Sequence, residues 1–239
     1  MTELDGATRT DELAQLTVAA ESEWLERWST GPVEPEGGGI RQGSPAPDLA
    51  LPDETGALRH LSEFWRTGPA LLVFWRHFGC GCGADRARRL AAEYADLVAA
   101  GLTPVVIGQG EPPRAAAYRA AHELPCPVLS DPDHAAYRAY GLGQWTPERV
   151  LYDAPAVYLE HPRGLGTEFQ AKRRLDGRPL VDDPWRATGE YVVGTDGRVA
   201  LPYVYQYCED FPDSRLLTSA ARRSRADGRD RRTVPSSEA

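Results

Sequence analysis

The feature that most constrains this chain is the continuous apolar run Ala70-Leu71-Leu72-Val73-Phe74-Trp75. It leaves no position for a wet face, so it reads as a strand buried on both sides of a sheet. The run leads straight into Arg76-His77-Phe78-Gly79-Cys80-Gly81-Cys82-Gly83. Beyond that, Ala87, Leu90, Ala91, Tyr94, Leu97 and Val98 fall on one helical face, and Gly101 is placed to end the helix. Two cysteines therefore stand between a buried strand and a helix.

A strand buried on both faces needs layers above and below it, and the next segments supply them. The pattern predicts a strand over 104–107 and a helix that opens at Pro112-Pro113 and runs to about Leu124. A short strand around Val128-Leu129 follows, then a helix over 133–140 closed by Gly141. This βαβα alternation implies parallel strands covered by helices. Tyr191-Val192-Val193, the turn Thr195-Asp196-Gly197 and a strand over 199–205 then read as an antiparallel hairpin. The expected fold class is α/β with a central mixed sheet flanked by helices.

The flanks read differently. Leu13, Leu16, Ala20, Trp24 and Trp28 recur at helical spacing, and Gly31-Pro32 through Gly37-Gly38-Gly39 has the composition of a linker. Residues 1–42 are thus an N-terminal helical extension, docking on the domain or on a partner. Residues 43–222 form the domain proper. Within it, 145–158 reads as helical, whereas 162–184, rich in Gly, Pro and charge, reads as an irregular excursion. A last helix begins near Asp213 and loses its apolar face after Ala221, leaving 223–239 as a disordered Arg-rich tail.

Charge and cysteine usage exclude several function classes. A net charge of −8 over 239 residues works against nucleic-acid binding. The acidic N-terminus has no apolar stretch after a basic start, and no run is long enough to span a bilayer. The expectation is a cytoplasmic protein with neither nucleic-acid nor membrane partners. Four cysteines are too few for a disulfide scaffold in a reducing compartment, so a close pair points to catalysis or metal binding.

A thiol reacts as its thiolate. In the first turn of a helix, free N–H groups and the positive dipole end lower its pKa from ~8.5 into a range of roughly 3.5 to 7.5. Arg76 and His77 stand just upstream as further sources of positive charge, and glycines 79, 81 and 83 leave the backbone free to turn tightly with the sulfurs exposed. Cysteines two apart can close a disulfide, and such small rings are readily reduced, which suits turnover. The alternative is a metal site, His77, Cys80 and Cys82 offering one imidazole and two thiolates to zinc or copper.

The stretches Leu-Val-Phe-Trp-Arg-His-Phe-Gly-Cys (72–80), Val-Ile-Gly-Gln-Gly (106–110), Pro-Val-Leu-Ser-Asp-Pro (127–132) and 137–142 resemble the peroxiredoxin-like branch of the alkyl hydroperoxide reductase and thiol-specific antioxidant (AhpC/TSA) family. The resemblance spans about 43–222 and implies a thioredoxin-like fold. It also implies reduction of a peroxide or disulfide substrate, with electrons from a thioredoxin-type or low-molecular-weight thiol reductant. It calls for no bound cofactor and leaves a homodimer open. Members of this branch commonly carry Cys-x-x-Cys after Arg-His-Phe-Gly; here Gly83 takes the fourth place and the pair is Cys-x-Cys. The Pro-x-x-x-Thr-x-x-Cys loop of ordinary peroxiredoxins is also missing, the stretch showing Phe74, Arg76 and His77 instead. The weight therefore falls on thiol–disulfide exchange.

On this reading Cys80 is the leading nucleophile and Cys82 the resolving thiol, with Arg76 and His77 in support. In the thioredoxin fold a loop before the fourth strand faces the active cysteine. Its counterpart is Ala187-Thr188-Gly189-Glu190, so Thr188 and Glu190 are expected near the pair, the carboxylate as a proton acceptor or as a charge opposing the thiolate. Cys126, entering a short strand, reads as core; Cys208, after the last strand, reads as packed or as a further resolving thiol. His122 and His134 read as solvent-exposed.

Overall fold

The computed structural model describes residues 3–151 and 155–230. In chain order, helix α1 (Glu3–Thr30) precedes a ribbon of β1 (Ala50–Pro52) and β2 (Leu58–His60) and a 3-10 turn over Leu61–Trp65. The core strand β3 (Ala70–Phe74) leads into α2 (Gly81–Ala99). Strand β4 (Thr103–Gly108), α3 (Pro112–Ala121), β5 (Val128–Ser130) and α4 (Ala135–Ala139) follow. Next come three helices, α5 (Pro147–Val150), α6 (Pro155–Glu160) and α7 (Pro162–Leu175), then the hairpin β6 (Gly189–Val193) and β7 (Val199–Val204), and α8 (Ser214–Asp230).

The sheet order is β5-β4-β3-β6-β7. β3 pairs parallel with β4 and antiparallel with β6, so the sheet is mixed as expected, and β3 lies at its centre. Alternation along β3 divides the core. Leu72 and Phe74 face Tyr137, Tyr140, Trp145 and Tyr191 on one side. Leu71, Val73 and Trp75 face Ala87 and Leu90 of α2, Tyr118 of α3 and Leu217 of α8 on the other. Every residue of β3 is buried, which is what an uninterrupted apolar run requires.

Two flanks depart from the expectation. The stretch read as irregular contains α7, a fourteen-residue helix with Pro162 at its start and Lys172, Arg173 and Arg174 in its last turn, where cations favour the helix dipole. At the C-terminus, α8 continues past residue 222 to Asp230, and Arg225 donates to the Gly101 carbonyl at 2.9 Å. The remainder of the expected tail, 231–239, lies outside the described residues, as do 152–154 of the expected helix over 145–158.

The N-terminal helix docks within its own chain. Trp24, Trp28, Tyr158, Leu180 and Trp185 form a third apolar cluster, in which Trp28 stacks on Trp24 at 5.0 Å and on Trp185 at 4.9 Å. Three of the rings satisfy their polar ends: Trp28 donates to the Pro162 carbonyl at 2.9 Å, Trp185 to the Arg27 carbonyl and Tyr158 to the Trp28 carbonyl, while the Trp24 indole N–H has no partner among the described residues. Gly166 permits the close approach of α1 and α7, since a Cβ there would meet Trp28 Cδ1 at 2.6 Å. Among the described residues, no helix is long and apolar enough to cross a membrane.

Candidate active site

Cys80 is the N-cap residue of α2, in extended conformation, and Cys82 lies in the first turn. Their Cα atoms are 5.4 Å apart and their sulfurs are joined as a disulfide. The preceding turn is held by the Cys80 N–H donating to the His77 carbonyl at 3.0 Å. Gly79 is required by close packing, because a Cβ there would lie 1.9 Å from the Pro179 carbonyl oxygen. That packing tempers the expected exposure: Cys80 is half-buried and Cys82 is buried.

The disulfide opens onto a cavity of about 520 Å³ that is also lined by residues of α1 and α7, including Trp24, Trp28 and Phe169. Both expected supporting residues are there. Arg76 is 5% exposed, donates to the Pro184 carbonyl at 2.7 Å and lies 5.2 Å from the centre of the Trp145 ring. Its Nε and Nη1 have no hydrogen-bond partner among the described residues. His77 also lines the cavity, but burial, helped by the charges of Arg76 and Arg173, holds its pKa well below the usual imidazole range. It is neutral at pH 7, so of the two expected cations only Arg76 contributes charge.

Arg173 in the last turn of α7, and Arg178 just beyond it, supply charge that the sequence reading missed. A Cβ on Gly81, the residue between the cysteines, would lie 3.3 Å from Arg178 Nη1 and 3.8 Å from Arg173 Nη2. Two guanidinium groups thus cover the Cys-x-Cys turn. The signal for Arg173 was the basic cluster 172–174 at the end of a segment opened by proline; Arg178 stands outside that cluster.

Thr188 and Glu190 have different fates. Thr188 is buried and lines a small void together with Cys82, Arg86, Tyr205 and Cys208, its hydroxyl lacking a hydrogen-bond partner among the described residues. Glu190 lines neither the void nor the cavity. Fully buried in β6, it takes a two-point ion pair from Arg86 (Nε to Oε1 2.7 Å, Nη2 to Oε2 3.0 Å) and a hydrogen bond from the Tyr205 hydroxyl. Burial opposes the charge of Arg86, but Glu190 outweighs it and raises the Arg86 pKa. The expected proton acceptor is a carboxylate already committed to a cation, on an interior strand of the sheet.

Cys126 is fully buried, and burial pushes its thiol up to about 12. Cys208 borders both the cavity and the small void beside the pair, and burial raises its pKa. His134 is buried, against expectation. Its Nε2 faces Gln109 Oε1 at 3.0 Å, and its Nδ1 accepts from Arg186 at 3.2 Å. Burial, followed by the charge of Arg186, lowers its pKa to about 4. His122 is half-buried against Tyr118, and its pKa is lowered by burial. Among the described residues no group of three or more His, Cys, Asp or Glu is arranged to hold a metal; His77, Cys80 and Cys82 line one cavity, with both sulfurs engaged in the disulfide.

A mixed five-stranded sheet whose central strand delivers a cysteine pair to the start of a helix defines a thioredoxin fold of the peroxiredoxin-like kind. The model of the AhpC/TSA family matches residues 42–164, and the chain belongs to that family. Among curated proteins, the chain is 34% identical over 79 residues to "Thioredoxin-like protein AAED1, chloroplastic" of Arabidopsis thaliana, a match over 33% of this chain and 32% of that protein. The chain therefore spans about a third of the length of that relative. Peroxidoxin BcpB of Mycobacterium tuberculosis superposes with a TM-score of 0.54 at 17% identity, over 78% of this chain and 97% of that one. A thiol peroxidase of Chromobacterium violaceum gives 0.53 at 18% identity, over 81% and 91%. At these identities the likeness to the two solved structures is one of fold.

Proposed function

We propose that this protein is a thiol-dependent oxidoreductase that cycles Cys80 and Cys82 between dithiol and disulfide, taking electrons from a thiol reductant and passing them to a peroxide or a disulfide. The observation that supports this reading best is the placement of the pair: a disulfide at the first turn of α2, facing a cavity in which cations outnumber acids. The helix dipole and the guanidinium groups of Arg173, Arg178 and Arg76 all favour a thiolate there.

Cys80, the more exposed of the two, is the nucleophile, and the buried Cys82 resolves. With a peroxide, the Cys80 thiolate takes one oxygen to become a sulfenic acid and releases water or an alcohol. The Cys82 thiolate then attacks that sulfur, and the oxygen leaves as water while the disulfide closes. With a disulfide substrate, the intermediate is a mixed disulfide at Cys80, which Cys82 resolves by expelling the second thiolate. Thr188 offers an unpartnered hydroxyl beside Cys82, and Glu190 acts by fixing Arg86 and Tyr205 behind it. The cytoplasm is the fitting compartment, since a reducing thiol pool returns the disulfide to the dithiol.

Thiol counting by mass spectrometry tests the proposal. Excess hydrogen peroxide or glutathione disulfide should remove two thiols from the reduced wild type, and Cys82→Ser should trap a sulfenic acid or mixed disulfide at Cys80. Survival of both thiols in excess oxidant would contradict it.

A further inference from the structure

The cavity in front of the disulfide also says what kind of molecule enters it. While the Cys80–Cys82 bond stands, it can accept electrons only from an attacking thiolate, so the species admitted in this state is the reductant. The disulfide lines a space of about 520 Å³ together with residues of α1 and α7. That volume suits a small molecule, whereas a protein reductant needs the bond on a surface that can bury roughly 800 Å² per partner.

The charge of the wall narrows the choice. Arg76, Arg88, Lys172, Arg173 and Arg178 line the cavity against only Asp85 and Glu209, in a chain whose overall charge is −8. Arg88 is paired with Asp85 at 2.6 Å, while Arg173 and Arg178 share the single carboxylate of Asp176 at 3.6 and 3.1 Å. Neither Lys172 nor Arg76 has an ion-pair partner among the described residues, and Arg76 also keeps two unpartnered nitrogens in a buried setting. A buried guanidinium without an anion is costly to maintain, and a negative group in the cavity offsets that cost. Trp24, Trp28 and Phe169 give the same space an apolar side.

We infer that the reductant of the Cys80–Cys82 disulfide is an anionic low-molecular-weight thiol, drawn in by the uncompensated cations and held with its negative group against Lys172, Arg173 and Arg178. This rests on the redox reading above. The thiolate RS⁻ bonds to the Cys80 sulfur, and the electron pair of the broken S–S bond leaves on Cys82, which takes a proton from water. A second RS⁻ attacks the R sulfur of the mixed disulfide, forming RSSR and releasing Cys80 as the thiolate. Two thiols are oxidised and one disulfide is reduced.

The test follows reduction of the oxidised full-length protein by 3-mercaptopropionate, 2-mercaptoethanol and cysteamine, with each rate corrected for the thiolate fraction of the reagent. The expected order is anion, neutral, cation, with a spread of about tenfold or more at low ionic strength that shrinks as salt is added. Lys172→Gln, at an exposed position, and Arg173→Gln should each narrow the spread. Equal rates, a faster cation, or faster reduction by a thioredoxin at equal concentration would overturn the inference. Dithiothreitol, which is neutral, separates the two levels: if it opens the disulfide but the anion has no advantage, only the choice of reductant falls. If it cannot open the disulfide, the redox reading falls as well.

Discussion

Two groups of charge flank the first turns of α2, and they are closed in opposite ways. On the sheet side, Arg86 meets Glu190 at two points and Glu93 at 3.2 Å, and the Tyr205 hydroxyl completes the set. On the cavity side, Arg76 has no carboxylate partner, Arg173 and Arg178 share one, and Lys172 has none among the described residues. Both groups stand within a few residues of the cysteine pair in space, yet one is satisfied inside the fold and the other is not. The paired set belongs to the architecture. On the proposed function the unpaired set is available to a substrate, and the two should respond differently to mutation.

The largest effect should come from the paired side. Glu190→Ala removes the two-point partner of the buried Arg86, leaving it only the single contact to Glu93, and should cost about 3 kcal/mol in urea unfolding. Replacing both partners by apolar residues, Arg86→Met with Glu190→Leu, should recover much of that loss. If Glu190→Ala leaves stability unchanged but stops thiol turnover, the carboxylate belongs to the chemistry and the contrast fails.

A smaller, pH-dependent effect should arise at His134, which joins the buried set around Gln109, Asp183 and Arg186 that positions the loop over Arg76. Its pKa is about 4 when folded and near 6.5 when unfolded, so the unfolded chain takes up the proton first as pH falls. The contribution is intact above about pH 6.5 and is lost towards pH 4, at no more than about 1.4 kcal/mol per pH unit. His134→Gln should lose less stability than the wild type across that window, as followed by thermal unfolding. Parallel curves would remove His134 from the buried set.

The smallest effect belongs to the cavity side. Arg173→Gln and Arg178→Gln touch partly exposed groups and should change stability by less than about 0.5 kcal/mol. They should nevertheless slow iodoacetamide alkylation of the reduced pair at neutral pH, by roughly fivefold or less, since an exposed charge is worth about 1 kcal/mol or less. A stability loss with unchanged alkylation would make these arginines structural and erase the difference between the two sides.

How far the molecule could be read in advance follows from where its partners lie in sequence. The strand-to-helix junction was legible because the apolar run, the glycines and the helical face are contiguous, and the mixed sheet followed from strand order and the hairpin turn. Helix α7 was not, because Gly164 and Gly166 look like breakers until Trp28 packs on the second of them. With α7 went Arg173 and, beyond it, Arg178, the cations nearest the Cys-x-Cys turn. Glu190 was expected near the cysteines as a free carboxylate because its partner Arg86 stands 104 residues away, with no local pattern to announce the pair. His134 looked solvent-exposed for the same reason: Gln109 and Arg186 come from other parts of the chain. Cys126 was readable as core, being a small apolar residue entering a short buried strand.

The central claim is that Cys80 and Cys82, and not the other two cysteines, form a reversible redox pair. The direct measurement is equilibration of the protein in a series of reduced and oxidised dithiothreitol mixtures, followed by differential alkylation and peptide mass spectrometry. A single two-electron transition is expected, in which Cys80 and Cys82 change state together while Cys126 and Cys208 stay reduced throughout. A transition that pairs Cys208 with either residue, or the absence of any transition at Cys80 and Cys82, would contradict it.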